Sequence, residues 1–108
     1  MKGTHLGEFE ELVLLTIGVL QDDAYGVAIK DELKRRTSRN PSIGAMHSAL
    51  TRLEKKGFIT SHMEGATKER RGRRKRFYTL TTFGIKTLRE IHDMRTEMIR
   101  VIPKLSAT

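Results

Sequence analysis

PSIGAMHSALTRLEKKG, residues 41–57, and KERRGRRKR, residues 68–76, are the two pieces from which the rest of the chain can be read. The first predicts a helix over 42–56. Its apolar residues Ile43, Met46, Leu50 and Leu53 recur at three- and four-residue steps, which puts them on one face of an α-helix. The opposite face carries Gly44, Ala45, His47, Ser48, Thr51, Arg52 and Lys55: small, hydroxyl-bearing or basic groups, with no carboxylate before Glu54. In the second piece Lys68, Arg70, Arg71, Arg73, Arg74, Lys75 and Arg76 stand against the single acid Glu69. A helix with a small polar outer face beside a cationic hairpin is suited to a double-stranded nucleic acid. The helix would enter the major groove and the hairpin would hold phosphates.

Bulk composition narrows the possibilities. The chain has 108 residues, enough for one domain with a real core. Its net charge is +8, and the 68–76 run alone supplies six of those charges. Charge concentrated in this way points to a polyanionic partner more than to general solubility. A membrane surface is the competing polyanion, but it is more often met by a basic amphipathic helix than by a Gly-punctuated loop. There is no cysteine, so disulfides and thiolate metal sites are excluded. The N-terminal MKGTHLGEFEE lacks the apolar core of a signal peptide, and the apolar run at 12–20 is too short to span a bilayer. The expectation is a soluble cytoplasmic protein.

Outward from the central pieces, helix 1 is expected over 8–21. Gly7 would be its N-cap, and Glu8, Glu10 and Glu11 suit the positive end of its dipole. Its apolar residues, Phe9, Leu12, Val13, Leu14, Leu15, Ile17, Val19 and Leu20, occupy more than one face. Such a helix needs cover on two sides, either deep within one chain or from a second subunit. Asp22 and Asp23 break the pattern and lead into helix 2, from Ala24 to about Arg36. Its buried face would be Tyr25, Ala28, Ile29 and Leu33, and its C-terminal end is basic. Gly26 weakens that helix by roughly 1 kcal/mol relative to Ala, which suggests a close backbone approach. Pro41 pushes Asn40 toward an extended conformation, Ser42 is placed to cap helix 3, and Gly57 to end it.

Residues 58–64 read as a strand, 65–72 as a polar tip, and 73–80 as the returning strand with Phe77 and Tyr78 as anchors. Thr81 or Thr82 caps a last helix from Phe83 to about Ile102, ended by Pro103. Leu88, Ile91, Met98 and Ile102 form a stripe interrupted by Arg95, with Met94 beside it. With Leu12 they are the expected dimerisation residues, the alternative being that the helix packs back onto helix 1. The order helix, helix, helix, strand, strand, helix gives the fold class: mainly α (α+β), a winged helix-turn-helix in which helix 3 reads DNA and the hairpin is the wing. Residues 1–80 would be the winged-helix unit, and 81–108 a dimerisation helix packed on it.

Four pieces, LGEFEELVLLTIGVL, AYGVAI, SIGAMHSALTRLEKKGFI and RRKRFYTLTTFGIKTL, together resemble the PadR family of bacterial transcriptional regulators, over roughly residues 6–90. The short final helix is similar to the subgroup of small PadR-like proteins. The resemblance implies a homodimer on a palindromic operator, usually repressing, and often released by a small hydrophobic or phenolic effector. Tyr25 and Gly26 match the family's Tyr-Gly pair at the start of helix 2, which adds Tyr25 to the expected DNA contacts. Leu50, Leu53, Glu54, Gly57 and Ile59 match the exit from helix 3, and Tyr78, Leu80, Thr81 and Gly84 the turn into the last helix. His47 stands where the family usually has tyrosine, keeping a hydrogen-bonding ring at shorter reach.

The expected DNA-contacting set is therefore Ser42, Gly44, His47, Ser48, Thr51, Arg52 and Lys55 on helix 3, Tyr25 on helix 2, and the seven wing cations. His47 has two further readings, a pH sensor or a solvated surface residue. The histidines His5, His47, His62 and His92 never fall at i, i+4 spacing near carboxylates, so no metal site is expected. The methionines read as core or interface filler, with a ligand pocket between subunits as the minority reading. No nucleophile–base pair, phosphate-cradling Gly loop or paired carboxylates support catalysis, and no cofactor is implied. The remaining rival is a winged-helix module that binds protein or RNA.

Overall fold

A computed structural model describes residues 5–65 and 74–106. The elements run α1 (Glu8–Leu20), a 3₁₀ turn (Gln21–Asp23), α2 (Gly26–Thr37), α3 (Ile43–Lys55), β1 (Ile59–Glu64), β2 (Lys75–Leu80), α4 (Thr82–Arg100) and α5 (Pro103–Ser106). β1 and β2 pair antiparallel, Ile59 opposite Leu80 and Glu64 opposite Lys75. This is the expected winged helix-turn-helix order.

α1 is the central helix. Val13, Leu14 and Ile17 are sealed beneath Ile29 and Leu33 of α2, Met46, Ala49, Leu50 and Leu53 of α3, and Phe58 and Ile59 at the start of the hairpin. Leu15 and Val19, on the opposite side, are 43% and 46% exposed, so the described residues leave part of this two-faced helix uncovered. The start of α1 is held by Glu10, whose Oε1 accepts from the Gly7 N–H at 3.0 Å.

Helix 2 starts later than expected. Asp22 and Asp23 close a 3₁₀ turn, and the chain then runs extended through Tyr25, the N-cap of α2. Tyr25 forms a β-bridge to Phe77, and the Tyr78 N–H donates to the Ala24 carbonyl at 2.8 Å. The segment before α2 is thus tied to the returning wing strand, which is why the helix cannot begin at Ala24. Gly26 was expected to mark a close approach. In fact a Cβ there would meet nothing within 4 Å, so the position is open.

The boundaries of α3 follow the sequence signals. Ser42 Oγ accepts from the Ala45 N–H at 3.0 Å, and Gly57 leaves the helix at φ +85°. One residue of its apolar face departs. Ile43 is 78% exposed, and Ala49, the next residue round from Met46 and Leu53, is buried in its place. At the first turn of α3, Ile43 lines an open cleft together with Gly26, Val27 and Lys30.

The close approach lies elsewhere. A Cβ on Gly84, in the first turn of α4, would sit 2.3 Å from the Phe58 carbonyl oxygen. Phe83 stacks on Phe58 with ring centroids 5.0 Å apart, and Thr81 caps α4 by accepting from the Gly84 N–H at 2.9 Å. The base of the wing and the start of α4 are therefore one packed unit. Further along, Leu88 packs partly against the core and Arg95 donates to Glu11 Oε1 at 3.0 Å, while Gly84 is the one buried residue of α4 and Met94, Met98 and, just past the helix, Ile102 are exposed. Pro103 starts a short final helix instead of only ending α4, as suits a residue whose missing N–H is not needed in a first turn.

Candidate nucleic-acid interface

The outer face of α3 is open. Ser42, Gly44, His47, Ser48, Thr51, Arg52 and Lys55 are all exposed. The side chains of His47, Ser48, Thr51 and Lys55 make no hydrogen bond to other described residues, so their donors and acceptors face solvent. Ser42 spends its hydroxyl on the helix cap.

Arg52 is different. Its Nε donates to Glu10 Oε2 at 2.7 Å, while Lys56 Nζ donates to Glu10 Oε1 at 2.9 Å and to the His5 carbonyl at 2.7 Å. Glu10 is only 5% exposed. Burial alone would raise the pKa of its carboxyl. The Gly7 N–H, Arg52 and Lys56 outweigh that and hold it at about 2. Arg52 is thus committed on one edge to clamping α3 onto α1, although its guanidinium remains half exposed and has further donors. Sequence reading did not find this clamp, because Glu10 looks like an ordinary helix-dipole acid and is 42 residues distant.

The near end of the wing adjoins this face. Lys75 Nζ lies 4.0 Å over the Tyr25 ring, and Tyr25 meets Phe77 edge-on at 5.4 Å between centroids. Arg76 donates to Ser61 Oγ at 3.0 Å, and Arg74 is exposed. A cleft lined by Tyr25, Gly26, Val27, Lys75, Arg76 and Tyr78 opens at the N-terminus of α2. Backbone N–H groups in a first helical turn together with two cations suit a phosphate. Lys68, Arg70, Arg71 and Arg73 lie outside the described residues.

Of the expected dimerisation residues, Leu12 and Leu88 pack partly against the subunit's own core and Ile91 is half-buried, whereas Met94, Met98 and Ile102 are open. Leu15, Ile85 and Ile99, outside that expected set, are also exposed. Leu15, Leu80, Ile85 and Leu88 line one groove between α1 and α4. Among the described residues no group of three or more His, Asp or Glu side chains is arranged to hold a metal ion, and no helix is long and apolar enough to cross a membrane.

Comparison with known proteins agrees with this architecture. The model of the transcriptional regulator PadR-like family matches residues 14–90. Among solved structures, a PadR family transcription regulator from Clostridium difficile is 26% identical over 94% of this chain and 100% of its own, with a TM-score of 0.68. A transcriptional regulator from Clostridium thermocellum is 26% identical over 89% of this chain and 88% of its own, at 0.67. A PadR-like transcriptional regulator from Bacillus cereus, 19% identical over 93% and 92%, superposes at 0.71 and supports the fold alone. Comparison with curated proteins returns no match.

Proposed function

The chain belongs to the transcriptional regulator PadR-like family, and from that membership we propose how this DNA-binding regulator engages its operator. A homodimer binds a palindromic site, with α3 of each subunit entering a major groove N-terminal end first and the wing laid along the backbone or into the minor groove. His47, Ser48 and Thr51 are nearest the base edges. Ser42, Gly44, Lys55 and the free edge of Arg52 flank them. Tyr25 and Lys75 hold the phosphate beside the N-terminus of α2, and Lys68, Arg70, Arg71, Arg73, Arg74 and Arg76 supply the remaining charge of the wing. Bound at a promoter, such a dimer represses by occupying the site. Residues 1–80 are the reading unit, and 81–108 carry the dimer contact. The protein works in the cytoplasm, where the chromosome is reached directly, and a small hydrophobic effector that alters the dimer contact would release it.

The observation that carries this reading is the uncommitted state of the α3 outer face beside a cationic strand. Polar side chains without internal partners occupy one surface with the wing's first cations, and the one long-range ion pair of that face, Arg52 with Glu10, fixes the helix without covering it. The test is selection of bound fragments from genomic DNA, followed by gel shift on DNA from the protein's own upstream region. Enrichment of an inverted repeat with half-sites one or two helical turns apart is the expected result. Binding without sequence preference would overturn it and favour a winged-helix module for protein or RNA.

A further inference from the structure

Between the first turns of α2 and α3 lies a second cleft, of about 250 Å³, lined by Gly26, Val27, Ile43, Met46, His47 and Leu50, with Lys30 and Tyr78 at its margin. Val27 and Ile43 are 65% and 78% exposed. Both are β-branched, both sit in the first turn of their helices, and together they present an apolar edge in the middle of the polar reading face.

From this geometry, and resting on the operator-binding reading above, we infer that the cleft is a seat for thymine C5-methyl groups and that Ile43 and Val27 are specificity-determining residues. Three features favour this occupant. The cleft is continuous with the proposed DNA surface: it shares Gly26, Val27 and Tyr78 with the adjoining cleft that Lys75 and Arg76 line. Among the described residues no carboxylate lines either cleft, and cations border both, so a polyanion can approach them without repulsion. Ile43 is at the leading end of the helix, where helix-turn-helix proteins meet base edges. In the major groove thymine is the one base that presents a methyl group, and apolar side chains are its natural partners. His47 on the same wall supplies a hydrogen-bonding group toward the adjacent base edge. The half-site is thus read partly by apolar contact, with A·T pairs favoured under the first turn of α3.

The test replaces each thymine of a selected half-site, one at a time, by deoxyuridine, which keeps pairing and loses only the methyl. With the wild-type protein one or two positions per half-site should lose about fourfold in affinity, as expected for one buried methyl. With Ile43→Ala the loss on methyl removal at those positions should vanish, while circular dichroism shows an unchanged fold. Equal binding of thymine and deoxyuridine sites at every position overturns the inference. So does an Ile43→Ala protein that remains as sensitive as wild type at every position. If the cleft instead receives a second copy of the chain, Ile43→Ala changes subunit association and leaves the deoxyuridine profile untouched, which also overturns it. Failure of the operator-binding reading is distinguishable, because no inverted repeat would be selected in the first place.

Discussion

Glu10 is a single residue on which the orientation of α3 depends. Its carboxylate receives the Gly7 N–H, Arg52 and Lys56, and its pKa is held at about 2 against an ordinary 4.5. A carboxyl whose pKa is depressed on folding stabilises the native state above its unfolded pKa, and that contribution is lost as pH falls through the folded value. The window is therefore about pH 4.5 down to about 2. The contribution is on the order of 3 kcal/mol. Glu10→Gln should unfold more easily than wild type at pH 7 by roughly 2–3 kcal/mol. The difference should close near pH 2, as chemical denaturation at a series of pH values would reveal. A constant difference across that range would mean that packing, not charge, is what Glu10 supplies. Gly84 is the second such residue. Any side chain there drives a carbon into the Phe58 carbonyl, 2.3 Å away, and backbone cannot move aside as a flexible side chain can. Gly84→Ala should cost roughly 2–4 kcal/mol in urea unfolding, more than an ordinary surface glycine change.

At the scale of elements, the proposed complex divides the work between α3 and the wing. Phosphate contacts set affinity and its salt dependence, while base contacts set preference. Arg73→Ala with Arg74→Ala should lower the salt slope of operator binding by about 0.9 for each phosphate contact removed, with little change in the preferred sequence. An unchanged slope in a titration from low to high salt would count against the wing's role. Thr51→Ala should do the reverse, changing the selected sequence and leaving the slope alone. Arg52→Ala should change the selected sequence too, but with lowered stability, since it leaves Glu10 Oε2 without its guanidinium partner and only Lys56 as a paired cation. The frame of α3 is legible in the sequence. The limits of α3 were written in Ser42 and Gly57, and the polar composition of its outer face needed only helical phase. Ile43 was misread because periodicity describes a helix in isolation. Whether a residue on the apolar face is covered depends on the neighbouring element, and here Ile43 faces an open cleft beside the start of α2. Likewise Gly26 was read as a contact and proved to be a gap, whereas Gly84, legible from family resemblance alone, is the contact. The Glu10 clamp joins residues 42 apart, and no local pattern records such a pairing.

At the scale of the whole molecule, α4 is held to α1 as far as Arg95, which donates to Glu11, and every residue from 92 to 100 is exposed. A projecting helix with Met94, Met98, Ile99, Ile102 and Leu105 all about half exposed is an unfavourable surface for a lone chain. It continues into the groove lined by Leu15, Ile85 and Leu88, on the side of α1 that the subunit leaves uncovered. The two features that looked separate in the sequence, a helix apolar on two faces and a long amphipathic tail, are thus parts of one surface. Its burial against a second copy is the simplest way to satisfy both, and it would set the two reading helices at a fixed distance. That coupling gives the prediction its force, because a dimer that fails should lose DNA without any change at the reading face. Met98→Glu, placed in the exposed stripe and far from α3, should leave the fold of each subunit intact by circular dichroism. In sedimentation it should shift the protein from dimer to monomer. Operator affinity should then fall steeply, on the order of a hundredfold, because each half-site must be bound on its own without the gain from linkage. Affinity for an isolated half-site should stay at the wild-type subunit's level. A Met98→Glu protein that sediments as wild type would move the subunit contact away from the end of α4. One that becomes monomeric yet keeps full operator affinity would show that a single reading face suffices.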